Sequence, residues 1–253
     1  MDAARVRREI VDWLRDRVRE AGAGGLVVGI SGGLDSAVVA GLAKEAFPDA
    51  ALGVWMPCHS AAQDAEDAAL VAAAFDIPLV TVDLTGVFDR LAAECRAALG
   101  RGEPAGTPRL RMAEANVKPR LRTAVLHFAA RALGYLVAGT TNRSELAVGY
   151  FTKFADNGVD LLPIGDLVKA EVRALARELG VPPRIVEKAP SAGLWEGQTD
   201  EEELGVTYAD LDRFLLAGEA SPEVKERVER MMRQSEHKRR LPPIAKITRT
   251  NGV

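Results

Sequence analysis

Val27-Val28-Gly29-Ile30-Ser31-Gly32-Gly33-Leu34-Asp35-Ser36-Ala37 decides the fold. Leu26 to Ile30 is an apolar run too short for a helix, with glycines before it and a turn after it, which predicts a buried parallel strand. Ser31, Gly32 and Gly33 make a tight turn with free backbone N–H groups, and Leu34 to Ala46 carries helical periodicity. A strand entering a helix through such a turn aims unpaired amides and the positive helix end at one spot, a place for phosphate. Asp35 is the odd member. A carboxylate beside bound phosphates repels them unless a divalent cation lies between, so turn and acid together predict a magnesium nucleotide. No Gly-x-x-x-x-Gly-Lys-Ser/Thr stretch is present, and no Gly-x-Gly-x-x-Gly follows a strand.

Outward from this stretch the pattern repeats. Asp2–Ala21 places Val6, Ile10, Trp13, Leu14 and Val18 at helical spacing. Strands are predicted over 51–56, 78–82 and 135–139, and helices over 61–75, 87–99, 110–133 (with Pro119 kinking it or delaying its start), 142–148, 168–179, 207–216 and 222–238. Strand–helix alternation predicts an α/β doubly wound parallel sheet flanked by helices, with ligand at the carboxyl ends of its strands. Gly100–Pro108 is a loop, Gly149–Asp160 is irregular, and Ala189–Gly205 has the composition of a mobile cover.

The 253 residues, 47% apolar and 27% charged, suit one α/β domain over 1–253. A net charge of −3 gives no electrostatic case for nucleic acid or an anionic membrane as partner. Cys58 and Cys95 make neither a metal-ligand spacing nor a disulfide framework. Without a signal core or a membrane-length apolar run, a cytoplasmic protein is expected.

Further signals lie downstream. Gly139-Thr140-Thr141-Asn142-Arg143-Ser144-Glu145 follows an apolar strand: Thr140 offers a hydroxyl, and Thr141 or Asn142 caps the next helix. Glu145 is either a plain first-turn acid or the second magnesium carboxylate. Lys169, a cation at a helix start, is electrostatically misplaced unless an anion is near. His237-Lys238-Arg239-Arg240 reads first as a solvated basic helix end, and His59 and His127 as histidines without a paired acid in sequence.

Ser31-Gly-Gly-Leu-Asp-Ser36, Asn116-Val-Lys-Pro-Arg-Leu-Arg122, Gly139-Thr-Thr-Asn-Arg-Ser-Glu145, Phe151-Thr-Lys-Phe-Ala-Asp-Asn-Gly-Val-Asp160 and Lys188-Ala-Pro-Ser-Ala-Gly-Leu-Trp-Glu-Gly-Gln-Thr-Asp-Glu201 occur in that order. The chain thereby resembles the ammonia-dependent NAD synthetases of the N-type ATP pyrophosphatase superfamily over roughly residues 5–243. The resemblance implies ATP-dependent amidation of deamido-NAD through an adenylate, with ATP as cosubstrate and Mg2+ as metal. It implies that Gly29, Ile30, Ser31, Gly32, Gly33, Leu34, Asp35 and Ser36, with Thr140, Lys169 and Ser191, hold ATP. Asp35 and Glu145 hold the metal. Arg120, Lys153, Asp160, His237 and Lys238 contact deamido-NAD, and Asp35, Lys169 and Lys153 are the implied catalytic groups. A homodimer is implied, with ammonia free or delivered by a separate glutamine amidotransferase. Pro119 and Ala155-Asp156-Asn157 depart from the family pattern in loop geometry, without removing a charged group. The alternatives are another adenylating pyrophosphatase resembling GMP synthetase, or a catalytically silent nucleotide-binding regulator.

Overall fold

A computed structural model of the chain describes residues 1–99, 106–191 and 199–247. Strands β1 (Leu26–Gly29), β2 (Ala51–Trp55), β3 (Leu79–Thr81) and β4 (Leu136–Ala138) form one parallel sheet in the order β3-β2-β1-β4. Leu26 stands opposite both Ala51 and Leu136, and Val28 opposite Gly53 and Ala138. The chain winds outward from β1 to β3, then returns to lay β4 on the other side of β1. That reversal opens a crevice at the carboxyl ends of β1 and β4, as expected of a doubly wound sheet.

The helices are α1 (Ala3–Glu20), α2 (Leu34–Ala46), α3 (Ala62–Ala74), α4 (Thr85–Leu99), α5 (Pro108–Ala115), α6 (Val117–Leu133), α7 (Arg143–Val148), α8 (Lys169–Leu179), α9 (Pro183–Glu187), α10 (Asp200–Leu204), α11 (Tyr208–Ala217) and α12 (Pro222–Ser235), closed by a 3-10 turn at Glu236–Lys238. Side-chain alternation along β1 sorts them into two layers. Leu26 and Val28 pack with α1, α2 and α8, through Leu14, Val38, Leu42 and Leu175. Val27 faces the opposite way, onto Phe88 of α4 and Leu126 and Ala130 of α6. A third cluster joins Val148 of α7 to Leu204, Tyr208, Leu211 and Val228.

Three differences from the sequence expectations have physical causes. Trp13 lies 39% exposed, because the buried stripe of α1 runs through Val11, Leu14 and Val18. The long helix expected over 110–133 is divided at Asn116, and Pro119 sits in the first turn of α6, where a missing amide costs nothing. The segment 189–205 ends in a helix, since α10 begins at Asp200.

Candidate active site

The turn after β1 is built as its sequence requires. Gly32 adopts φ +79°, and a Cβ there would stand 2.7 Å from Asp67 Cβ and 2.9 Å from Asp64 O, so only glycine lets the turn rest on α3. The Ser36 hydroxyl donates to Gly33 O (3.0 Å) and accepts from Ser31 N (3.2 Å), while Gly33 N donates to Ser31 Oγ (3.2 Å). Gly33 is the N-cap of α2 and has no side chain with which to cap it, so the first-turn amides at Leu34 and Asp35 point onward to an external acceptor. Behind the turn, the buried Asp67 is paired with Lys188 (2.7 Å) and Arg184 (2.9 Å).

Across the crevice, Asn142 caps α7 in a reciprocal box. Its Oδ1 accepts from Glu145 N (3.0 Å), and its own N donates to Glu145 Oε2 (3.1 Å). The same side chain reaches back to β1's helix, donating from Nδ2 to Asp35 Oδ1 at 3.0 Å. Lys169 opens α8, fixed by its backbone N–H to Ser144 Oγ (3.0 Å). Its ammonium pairs with Asp35 and stands 3.5 Å from Glu145 Oε1. Asp35, Glu145 and Lys169, 110 and 24 residues apart in sequence, thus meet at one point between the ends of β1 and β4.

Burial and charge oppose one another there. Burial holds the Glu145 carboxyl up at about 8, with the Lys169 charge opposing and Asp35 reinforcing the shift. Burial alone would depress Lys169, but Asp35 and Glu145 outweigh it and leave the ammonium above its ordinary value. Lys169 also lies 5.0 Å from the ring centre of Tyr208, whose hydroxyl donates to Asp200 Oδ2 at 3.0 Å. Asp200 is therefore a third acid bordering the same ammonium, and burial raises its pKa as well. With Glu145 holding its proton the ammonium answers Asp35, and a divalent cation would release that proton and take the second carboxylate. Among the described residues no set of three or more His, Cys, Asp or Glu gathers as a ready-made metal cage.

Of the residues expected at the second substrate, Arg120, Lys153 and His237 adjoin one another. Arg120 donates to Lys153 O at 3.0 Å, and Lys153 Nζ lies 3.3 Å from His237 Nδ1. Asp160 accepts from Val137 N (2.8 Å) at β4. Lys238 is turned inward, its ammonium donating to Gly149 O (2.7 Å) and Phe151 O (2.9 Å). Thr140 follows β4 after Gly139. Ser191 is exposed and follows Pro190, whose carbonyl accepts from Asp200 N at 3.1 Å. Trp195 and Gln198 lie outside the described residues.

Several residues were not legible in advance. His59 has an acid partner after all, with Nε2 2.7 Å from Asp89 Oδ1, a residue 30 positions away. Asn142 was legible as a cap, yet its tie to Asp35 spans 107 residues and has no local signal. Asp200 was hidden in an acidic run that reads as a solvated helix start.

A family model described as NAD synthase matches residues 6–242. The NH(3)-dependent NAD(+) synthetase of Carboxydothermus hydrogenoformans is 52% identical over 236 residues, covering 93% of this chain and 95% of that one. Among solved structures, NMN synthetase from Francisella tularensis superposes with a TM-score of 0.90 at 34% identity, covering 98% of this chain and 100% of that one. NAD+ synthetase from Burkholderia pseudomallei gives 0.79 at 32% identity, covering 96% and 91%. With nearly its full length matched by the family and a relative above half identity, this chain belongs to the NAD synthase family.

Proposed function

We propose that the chain amidates deamido-NAD with ammonia at the expense of ATP, giving NAD, AMP and pyrophosphate. The observation that carries this reading is the meeting of Asp35, Glu145 and Lys169 beside an uncapped phosphate turn, in a chain of this family. A carboxylate resists amine attack because it lacks a good leaving group. Its oxygen therefore attacks the α-phosphorus of ATP, and pyrophosphate departs with the bonding electrons. Ammonia then adds to the acyl carbon of the adenylate, loses a proton, and AMP leaves.

The protein's part is placement and charge. The amides of Leu34 and Asp35 and the Lys169 ammonium take the negative charge of the phosphates, with Thr140 and Ser191 at the rim. Two converging carboxylates suit Mg2+, which binds through one or two acids and otherwise through phosphate oxygens and water. Asp35 and Glu145 would hold that ion, and it would neutralise charge on the departing pyrophosphate. Arg120, Lys153, His237 and Asp160 would contact the dinucleotide, with Lys238 in support. No nucleophile from the protein is needed. Segments 149–160 and 189–205 would serve to keep water from the adenylate.

The purified chain, given ATP, Mg2+, ammonium and deamido-NAD, should form AMP and NAD in equal amounts. AMP release without NAD, or no turnover, would overturn the reading. One solved neighbour is named NMN synthetase, so the mononucleotide is the acceptor to compare, although the relatives of higher identity are named NH(3)-dependent NAD(+) synthetase. The same assay with the nicotinate mononucleotide in place of the dinucleotide decides between them by the ratio of kcat/KM. The reading also comprises one functional domain over 1–253, working in the cytoplasm as a homodimer with free ammonia or a separate amidotransferase as the nitrogen source.

A further inference from the structure

Arg122 has no role in anything said so far, yet it occupies the ligand end of the sheet. The helix α6 delivers the chain to β4, so it runs antiparallel to the strands and its amino end lies at their carboxyl edge. Gly134, just past its other end, accepts from Gly24 N at the amino side of β1 (2.8 Å). Leu126 packs over the last residue of β1: a Cβ on Gly29 would stand 3.5 Å from Leu126 Cδ1. Arg122 is one helical turn earlier on the same face, which carries it past Gly29 toward the phosphate turn. Its Nε donates to Met56 O at 3.1 Å, just beyond β2, and fixes the plane of the guanidinium.

Such a cation normally has an acid. Arg122 is partly buried, burial depresses its pKa, and Cys58, Asp156 and Asp64 pull in the other direction only from a distance. Among the described residues no carboxylate lies within ion-pair reach of it, and neither Nη has a hydrogen-bond partner. The Nη atoms are not among the buried atoms that lack a partner, so they open onto solvent at the crevice, where an anion can take them. The turn amides and Lys169 approach the crevice from the α2 and α8 layer, whereas Arg122 approaches from the α6 layer, so the two would grip a phosphate chain from opposite sides.

We propose that Arg122 contacts the phosphates of ATP directly, closing the phosphate site from the α6 side; this rests on the nucleotide reading above. Guanidinium–phosphate hydrogen bonds are charge-assisted and geometrically specific. Calorimetry on the whole chain tests it, titrating Mg·ATP and, separately, deamido-NAD. Arg122→Met should weaken ATP about 10- to 100-fold and leave deamido-NAD within about twofold, the scatter of an unperturbed site. Arg122→Gln retains a donor for Met56 O while removing the charge, and is read in the same way should the Met variant fail to fold. Arg122→Lys should recover part of the loss. Unchanged ATP affinity in the folded Met or Gln variant would overturn the assignment, as would loss of deamido-NAD binding with ATP intact. Failure of the unaltered chain to bind Mg·ATP would instead overturn the nucleotide reading itself.

Discussion

Asp200 is 4% exposed; one of its carboxylate oxygens is held by Tyr208, and Oδ1 has no partner. Burial raises its pKa, so the folded chain holds this proton more tightly than the unfolded chain, whose Asp titrates near about 3.9. Stability from this group is complete below the unfolded value and is lost as pH rises through the folded one. Asp200→Asn should therefore flatten the fall in Tm of the ligand-free protein as pH rises above about 4; parallel curves for the two proteins would refute this. Asp35→Asn concerns chemistry and not folding. Asn142 can still hold the side chain, so circular dichroism should be unchanged while turnover is lost, and near-normal activity at ordinary magnesium would show the metal role to be misassigned. At Gly32, a methyl group meets Asp67 and a left-handed backbone together. Gly32→Ala should cost about 1–3 kcal/mol in denaturant unfolding and weaken Mg·ATP binding. These residues differ in legibility. Gly32 and Asp35 declared themselves within one turn of chain, whereas the burial of Asp200 depends on Tyr208 and α8, which no local pattern encodes.

At the scale of elements, the six-residue α7 carries both Asn142 and Glu145 and is too short to be stable alone. Its amino end is closed by its own capping box. Its other end is held from the far terminus of the chain, where Arg239 donates to Leu146 O and Ala147 O at 3.0 Å and to Met232 O at 2.6 Å. Lys238 holds the next two turns of chain, and Asn157 Nδ2 donates back to Lys238 O at 3.1 Å. Ser235 lies against Gly149 so closely that any Cβ there would overlap it. Residues 235–239 thus act as a brace behind the loop that bears Lys153. Arg239→Met and Lys238→Met should each raise hydrogen exchange over 146–152, and their effects should be non-additive because they secure one segment. Full additivity, with no change in exchange, would show two independent surface contacts. This brace explains where sequence reading succeeded and stopped. The β1–turn–α2 unit was legible because its strand, turn and helix are contiguous and strongly patterned. The short α9 and α10 were not, since five residues carry no periodicity, and the break at Asn116 depends on Thr152 Oγ1, which donates to Asn116 Oδ1 across 36 positions (3.0 Å).

At the scale of the whole molecule, α4 to α6 expose several large apolar side chains among the described residues. Phe128 is 78% exposed, and Val87, Met112 and Leu133 are each about half exposed. Large apolar groups gathered on neighbouring helices mark an association surface more often than isolated exposed residues do. Arg120, Ala124 and Phe128 recur at four-residue spacing and are all exposed, so one face of α6 carries both the apolar anchor and the arginine beside Lys153. A dimer formed through this face would place the dinucleotide site at the subunit boundary while leaving the phosphate turn inside each subunit. A stable interface needs to bury on the order of 1,000 Å2 or more, with its energy concentrated in a few central aromatic residues. Phe128→Glu puts a charge at that centre. Sedimentation should show the unaltered chain as a dimer and the variant as a monomer at the same concentration. The monomer should keep its affinity for Mg·ATP and show a raised KM for deamido-NAD, because only the second site borders the interface. A variant that remains dimeric, or a monomer whose ATP and dinucleotide sites weaken equally, would place the contact elsewhere on the molecule.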